Sequence, residues 1–170
     1  MANNREKEYA IYKGTGGRNG AVQFKLVPFQ RGRTRKDGKE ADAGFILVEA
    51  AATTAPDVYD WNNKITFAMD VGDIGQFLVG LGGGHCDIYH QYNNAVKKLA
   101  IELGNPDQKN NPTWMLSMTT RPDGSSDWFT IRLPVSCNEA AVLKELMRAA
   151  VPVVRGWNEE PLPYTQKDDE

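Results

Sequence analysis

A chain of 170 residues with 41% apolar and 25% charged side chains has the composition of one globular domain, which excludes a fibrous repeat and wholesale disorder. Its two cysteines, Cys86 and Cys137, exclude a disulfide framework and are typical of reduced thiols. The formal net charge of -2 hides two segments of opposite sign, because residues 9–39 are mainly basic and residues 158–170 mainly acidic.

The first half of the chain predicts four strands followed by a helix. Four segments alternate apolar and polar residues as half-buried strands do: residues 9–13, 21–29, 44–52 and 64–71. Residues 30–43 are polar and basic without periodicity, which indicates a loop. Residues 72–81 carry apolar side chains at helical spacing, and Gly82 ends that helix.

The second half repeats this order. Four further strand candidates are separated by Asn, Pro and Gly turns: residues 85–91, 97–103, 113–121 and 127–135. Ser136 and Glu139 have the spacing of a capping box and predict the start of the clearest helix. Pro152 is expected to kink or divide that helix, and Gly156 to end it. We therefore predict a duplicated unit of four strands and a helix.

The two ends of the chain are predicted to lie outside the domain. Residues 1–8 are expected to form an extension that lacks a signal-peptide core and a transit segment, and no apolar run approaches the roughly 20 residues that span a bilayer. Residues 9–157 form the domain. Residues 158–170, with their prolines, predict an acidic disordered tail that either solubilises the chain, occupies the basic surface or recruits proteins.

Motifs for catalysis or cofactors lack their structural context. The glycine-rich segments 14–20 and 80–84 each lead into a strand, whereas a phosphate-binding loop leads into a helix. Cys86 and His90 share a strand face but lie about 13 Å apart at about 3.3 Å per residue, which makes direct pairing unfavourable. We therefore expect no enzyme, metal or cofactor, and interpret Cys86 as a buried thiol.

Aromatic and basic side chains form a more coherent set. They occupy predicted exposed positions on strand faces and turns: Tyr12, Lys13, Lys25, Tyr59, Trp61, Lys64, Trp114 and Trp128. Single-stranded nucleic acid needs this mixture, because cations follow the phosphates while aromatic rings stack on unpaired bases. A structural role is the alternative for each residue, since tryptophans commonly belong to the core and lysines are commonly solvated.

The sequence resembles the Whirly family of single-stranded-DNA-binding proteins from Tyr12 to Trp157. The central match consists of Tyr59-Asp60-Trp61, Lys64, Phe67, Val71, Ile74-Gly75, Leu81, Cys86 and His90. The C-terminal match consists of Pro122-Asp123-Gly124-Ser125, Phe129, Pro134, Glu139, Ala141-Val142-Leu143, Pro152 and Gly156-Trp157. Lys13 matches the first lysine of a family segment that reads Lys-Gly-Lys-Ala-Ala-Leu, after which this chain has an insertion containing Arg18.

The resemblance implies an α+β fold of two crossed four-stranded antiparallel sheets, with a helix ending each half. It implies a homotetramer whose C-terminal helices lie at the centre, and the helix stripe assigned to this contact is Leu143, Leu146, Met147, Ala150 and Val154. The familiar plant members carry transit peptides. This chain is therefore expected in the cytoplasm or on the nucleoid of a phage or bacterium, or in an organelle matrix if it is a processed form.

These observations predict sequence-independent binding and protection of single-stranded DNA in replication, recombination or repair. The side chains predicted to bind nucleic acid are Tyr12, Lys13, Arg18, Lys25, Arg33, Arg35, Tyr59, Trp61, Lys64 and Trp128. Two alternatives remain open at this point. One is an RNA-binding or annealing factor of the same fold, and the other is a transcriptional regulator or protein-interaction scaffold that uses the acidic tail.

Overall fold

The computed structural model describes residues 8–14, 20–34, 38, 43–104 and 112–157. The strands of the first half are β1 (Glu8–Tyr12), β2 (Gly20–Val27), β3 (Phe45–Ala55), β4 (Val58–Tyr59) and β5 (Ile65–Met69). The second half contributes β6 (His85–Tyr92), β7 (Ala95–Leu103), β8 (Trp114–Arg121) and β9 (Phe129–Val135). The helices are a 3-10 turn (Trp61–Asn63), α1 (Val71–Leu81) and α2 (Cys137–Arg155).

The first sheet is antiparallel and has β3 at its centre. β1 pairs with β2, β2 pairs with β3, and both β4 and β5 pair with β3. The sequence predicted the end of β3 at residue 52, but the strand continues to Ala55 because Thr53 pairs with Tyr59 across a tight hairpin. Asp57 adopts φ 58° in this hairpin, a left-handed conformation that Asp tolerates better than most residues.

The second sheet is a four-stranded antiparallel meander in the order β6-β7-β8-β9. Its register places Ile88 opposite Leu99, Leu99 opposite Met118 and Met118 opposite Ile131. These side chains form a buried row across the sheet. They share one face of the sheet because successive side chains of a strand point to opposite sides.

One continuous apolar core holds both sheets and both helices. β9 contacts β2 and β3, β5 contacts β7 and β8, and the two helices contact each other. The first sheet directs Val22, Phe24 and Val48 into this core, and α1 adds Phe77 and Leu81. The predicted α+β architecture, with four long strands and a helix in each half, is confirmed. Among the described residues, neither helix is long and apolar enough to cross a membrane.

The first helix begins one residue earlier than predicted. Asp70 accepts a hydrogen bond from the Asp73 amide at 2.9 Å, and Asp73 accepts one from the Asp70 amide at 3.1 Å. This reciprocal capping box places Val71 in α1, whereas the sequence pattern had assigned it to the preceding strand. The pattern was misleading because Val71 continues the apolar alternation of β5 before it becomes the first helical residue.

The second helix remains continuous through Pro152, so of the predicted kink or division the division is wrong. The amides of Phe29 and Gly44 donate to the carbonyls of Val153 and Val154 at 3.3 and 2.8 Å, which attaches the last helical turn to the first sheet. These bonds and the burial of Val154 offset the backbone hydrogen bond that proline cannot make. The predicted capping box and the glycine terminator are both confirmed, and Gly156 has φ 72°.

Replacing Gly80 by alanine is expected to destabilise the fold by about 1–3 kcal/mol, as overpacked cores are. Gly80 is buried in α1, and a Cβ there would lie 2.5 Å from Ile101 Cγ2 and 2.8 Å from Cys86 Cβ. Gly75→Ala is the matched control in the same helix, because a Cβ at Gly75 meets nothing within 4 Å. Alanine at position 75 should instead raise the free energy of unfolding by about 0.5–1 kcal/mol. Urea unfolding of both variants measures the contrast, and equal effects would contradict this close packing.

Candidate nucleic-acid interface

Two tyrosines form a pair at one end of the outer face of the first sheet. Tyr12 ends β1 with 55% of its surface exposed, and its ring centroid lies 5.4 Å from that of Tyr59, with the planes tilted by 52°. Burial of the Tyr59 hydroxyl, together with Asp57 and Tyr12, raises the pKa of Tyr59. The Tyr59 hydroxyl is therefore uncharged at neutral pH, and Tyr12 offers an exposed aromatic ring to a ligand.

Trp61 begins the 3-10 turn that follows Tyr59, and Lys64 comes directly after the turn. Asp60 caps this turn, because its carboxylate accepts hydrogen bonds from the Asn63 amide at 3.3 Å and from the Asn63 side chain at 2.7 Å. The indole of Trp61 is half-buried. Lys64 directly precedes β5 rather than belonging to it. Its position is therefore set by the capped 3-10 turn that comes before it.

A buried carboxylate organises the predicted lysines of this face. Glu49 is only 3% exposed, yet Lys64 contacts its Oε1 and the Lys25 ammonium lies 3.2 Å from its Oε2. Gln23 donates a further hydrogen bond to Oε2 at 2.7 Å. Burial alone raises the pKa of Glu49, but the hydrogen bonds from Lys64, Gln23 and Lys25 outweigh it, so the pKa lies below its ordinary value. We call these four residues the Glu49 cluster.

Lys13 has a different position from the other predicted lysines. Its ammonium contacts both oxygens of Glu139, at 2.9 and 2.8 Å, and Glu139 also caps α2. These contacts, which outweigh the effect of burial, lower the pKa of Glu139. Lys25 pairs with Glu8 at the other end of β1, so the structure does not bring Lys13 and Lys25 together. Lys13 instead connects the first sheet to the second helix.

Of the three arginines predicted to bind nucleic acid, Arg33 lies within the described residues. Arg33 donates to the Ala43 carbonyl at 2.9 Å, and its guanidinium lies 5.2 Å from the centroid of the Phe45 ring. It therefore connects the two ends of the predicted basic loop. Arg18 and Arg35 lie outside the described residues, as does much of that loop.

The two predicted tryptophans of the second half occupy opposite environments. Trp128 is 54% exposed, and the Arg121 guanidinium lies 5.1 Å from its ring centroid. Trp114 is buried, and its indole donates to the Gly80 carbonyl at 3.2 Å, so the prediction that it is exposed is wrong. Its strand position faces inward because it continues the buried row of β8. Sequence reasoning missed Tyr89, which is exposed beside Lys98.

Cys86 and His90 have structural surroundings. Cys86 is buried, as predicted, and burial with nearby Asp87 and Asp73 raises the pKa of its thiol to about 11. The His90 ring stacks on Phe67 with centroids 4.2 Å apart, and its Nε2 lies 2.9 Å from Asp73 Oδ2. No group of three or more potential metal-ligating side chains occurs within the described part of the chain.

The helix stripe that was predicted to join protomers contributes mainly to the core of a single chain. Leu143, Met147, Ala150 and Val154 are buried within the protomer, whereas Leu146 is 42% exposed. Leu146 borders an apolar cleft of about 410 Å³ between α2 and the first sheet. Of the predicted set, Leu146 is therefore the side chain that a second copy can reach most readily.

Comparison with known proteins identifies the same architecture. A sequence model described as "Whirly transcription factor" matches residues 11–146. The chain is 27% identical to "Single-stranded DNA-binding protein WHY1, chloroplastic" of Zea mays over 177 aligned residues. That alignment covers 93% of this chain and 62% of the maize protein, so the chain spans about three fifths of that relative's length.

Solved structures agree with this assignment at the level of the fold. The crystal structure of WHY1 from Arabidopsis thaliana superposes with a TM-score of 0.75 at 23% identity, covering 92% of this chain and 89% of that one. A guideRNA-binding protein complex bound to a gRNA gives a TM-score of 0.57 at 14% identity, covering 87% and 91%. Since the family model matches most of the chain, this protein belongs to the Whirly family.

Proposed function

We propose that this protein binds single-stranded DNA without regard to base sequence and protects it during replication, recombination or repair. The observation that carries the proposal is that one face of the first sheet holds both the tyrosine pair and the Glu49 cluster. Tyr12 pairs with Ala21, and Gln23 pairs with Glu49 two positions further along β2. The name of the maize relative supports the choice of ligand.

The lysines of this face suit the phosphates of single-stranded DNA, and its tyrosines suit the bases. Lys25 and Lys64 together carry two positive charges against one on Glu49, which leaves the cluster with a net positive charge for the phosphates. The rings of Tyr12 and Tyr59 supply a surface for unpaired bases, whose stacking does not depend on base identity. Binding of this kind is sequence-independent because neither contact reads a base edge.

We also propose that the chain assembles as a homotetramer through α2. The exposed Leu146 and Val142 lie on this helix, and the neighbouring apolar cleft offers a second copy a surface to bury. This arrangement would place several sheet faces around one assembly, so that a long strand could contact more than one protomer. Effective concentration at the second face then raises affinity without any new type of contact.

A fluorescence titration with oligo-dT at 50 and 200 mM salt tests the proposed function. If Lys25 and Lys64 each neutralise one phosphate, they contribute about -1.4 to the slope of log K against log salt, or about sevenfold weaker binding for a fourfold rise. A duplex of equal length is the control, because its bases are not free to stack. Absence of oligo-dT binding at 50 mM salt, or preference for the duplex, would overturn the proposal.

RNA is the second candidate ligand, and the fold shared with a guideRNA-binding complex favours keeping it. The contacts proposed above involve phosphates and base faces, which DNA and RNA have in common. Discrimination would require a contact to the 2′-hydroxyl. Competition between oligo-dT and oligo-U of equal length decides the matter, since a clear advantage for oligo-U would make RNA the preferred ligand.

A further inference from the structure

A cleft of about 420 Å³ lies where β5 of the first sheet meets β6 and β7 of the second. Thr66 and Ala68 line it on one side, and His90, Tyr92 and Lys97 on the other. Its volume falls within the range of about 300–1,000 Å³ typical of small-ligand sites. None of these five side chains has been assigned to the DNA surface proposed above.

Lys97 carries the positive charge of this cleft. Its register on β7 places it opposite His90 on one side and Thr120 on the other, at the end of the inward face of the second sheet. From there its ammonium donates to Thr66 Oγ1 of the first sheet at 3.0 Å. The lysine thus joins the two sheets across the floor of the cleft, and burial lowers the pKa of its ammonium.

The charge of Lys97 is not balanced by a carboxylate in the way that other lysines are. Lys13, Lys25, Lys64 and Lys98 each contact a Glu or Asp side chain, whereas Lys97 forms no ion pair within the described residues. A half-buried cation without a counter-charge is costly, because it has lost water without gaining an opposite charge. An anion that entered the cleft would remove this cost.

The other ionisable groups near the cleft do not supply that anion. Asp73 is buried, and its carboxylate is engaged by His90 Nε2 at 2.9 Å and by the Asp70 amide at 3.1 Å. His90 itself stacks on Phe67. The Asp73 carboxylate therefore holds the histidine and the start of α1, and it does not neutralise Lys97, which lies on β7 next to His90 and lines the cleft.

The cleft is continuous with the proposed DNA surface. Thr66, which accepts the hydrogen bond from Lys97, pairs with Glu49 in the first sheet. A strand that follows Lys25 and Lys64 around Glu49 therefore reaches Lys97 next. Tyr92 is 80% exposed at the edge of this cleft, and its ring offers a stacking surface beside the half-buried Lys97.

We propose that this cleft holds one nucleotide of the bound single strand, with its phosphate on Lys97 and Thr66 and its base against Tyr92. The inference rests on the proposed function and deepens it. The strand passes from the outer face of the first sheet into the space between the two sheets. This path adds one phosphate contact and one stacked base to those on the first sheet, and it makes the junction of the sheets part of the binding site.

The test compares Lys97→Gln with Lys98→Gln in the full chain, using oligo-dT titrations over a range of salt. Lys97→Gln should weaken binding about fivefold and reduce the slope of log K against log salt by about 0.7, the share of one phosphate on a single strand. Lys98 is the matched control, because it points to the opposite face of β7 and contacts Asp87 at 2.9 Å. Its replacement should leave affinity and slope unchanged, and Lys97→Arg should retain both.

A cross-linking measurement makes the result independent of how the variants fold. Oligo-dT in which thymines are replaced by 5-iododeoxyuridine is irradiated with the wild-type chain, and the peptide attached to it is identified by mass spectrometry. We expect attachment at Tyr92. Attachment confined to other peptides, or an unchanged salt slope in Lys97→Gln, would overturn the cleft proposal. Wild-type chain that fails to bind oligo-dT at all would instead overturn the proposed function.

Discussion

Alanine at both Tyr12 and Tyr59 is expected to weaken oligo-dT binding by about a hundredfold. Stacking of one base on an aromatic side chain contributes about 1–3 kcal/mol, so the loss of two rings near the lower half of that range removes about 2.7 kcal/mol. The tyrosines contact each other at 5.4 Å between centroids, and they act as one platform. A fluorescence titration at 50 mM salt measures the loss. The salt slope should not change, because neither ring neutralises a phosphate.

Two further variants serve as controls. The first tests whether the hydroxyl groups contribute to binding, and the second tests whether removing any exposed tyrosine has the same effect. Phenylalanine at both positions keeps the rings and removes the hydroxyls, so it should retain most of the affinity. Tyr89→Ala removes an exposed tyrosine from the second sheet, where the Lys98 ammonium lies 5.2 Å from its ring centroid, and it should bind normally. An equal loss from Tyr89→Ala and from the double variant would contradict the placement of the binding face on the first sheet.

The fold was predictable wherever local sequence decides the local structure. Alternation identified the inward residues Val22 and Phe24, and the spacing of Ser136 and Glu139 identified the start of α2. The prediction was wrong where a tertiary contact outweighs a local preference. Pro152 is tolerated because neighbouring amides bind the last turn of α2, and this could not be read from the helix sequence alone.

The site was less predictable because its contacts join distant parts of the chain. Lys13 and Glu139 are separated by 126 positions, yet they form an ion pair. Glu49 was overlooked because a glutamate on the polar side of an alternating strand is commonly solvated, whereas register places it between Gln23 and Thr66. Its burial follows from these two neighbouring strands and not from the residues beside it in β3.

These contacts change how charge on the binding face should be tested. A glutamate in place of Lys13 would repel Glu139 and weaken the cap of α2, so any loss of binding would be mixed with a loss of stability. A glutamate in place of Lys25 would likewise set a negative charge against the buried Glu49. Changing the carboxylate instead of the lysines avoids both problems, because it leaves every cation in place.

Glu49→Gln is expected to lower the free energy of unfolding at pH 7 by about 1–3 kcal/mol. Loss of one partner from a fully buried ion pair costs about 3–5 kcal/mol, and the cost is smaller here because the ammoniums of Lys25 and Lys64 reach water. The folded-state pKa of Glu49 lies below its ordinary 4.5, so its contribution is complete above about pH 4.5 and is lost as pH falls through the folded value. Urea unfolding should therefore show wild type and variant converging in acid.

The same substitution should strengthen DNA binding. Glutamine removes one negative charge beside the two lysines, and one charge about 6 Å from a phosphate in water corresponds to about 0.7 kcal/mol, or roughly threefold tighter binding at low salt. Glu145→Gln, which removes an exposed carboxylate paired with Arg148 on α2, controls for the change in total charge and should not affect affinity.

Lower stability together with higher affinity is expected only if Glu49 neutralises cations that contact DNA. If the carboxylate merely oriented the lysines, its removal would weaken binding. Weaker binding by Glu49→Gln would therefore contradict the proposed role of Lys25 and Lys64 as pre-existing phosphate sites. Tighter binding with lower stability would show that the buried carboxylate repels the phosphates that Lys25 and Lys64 attract.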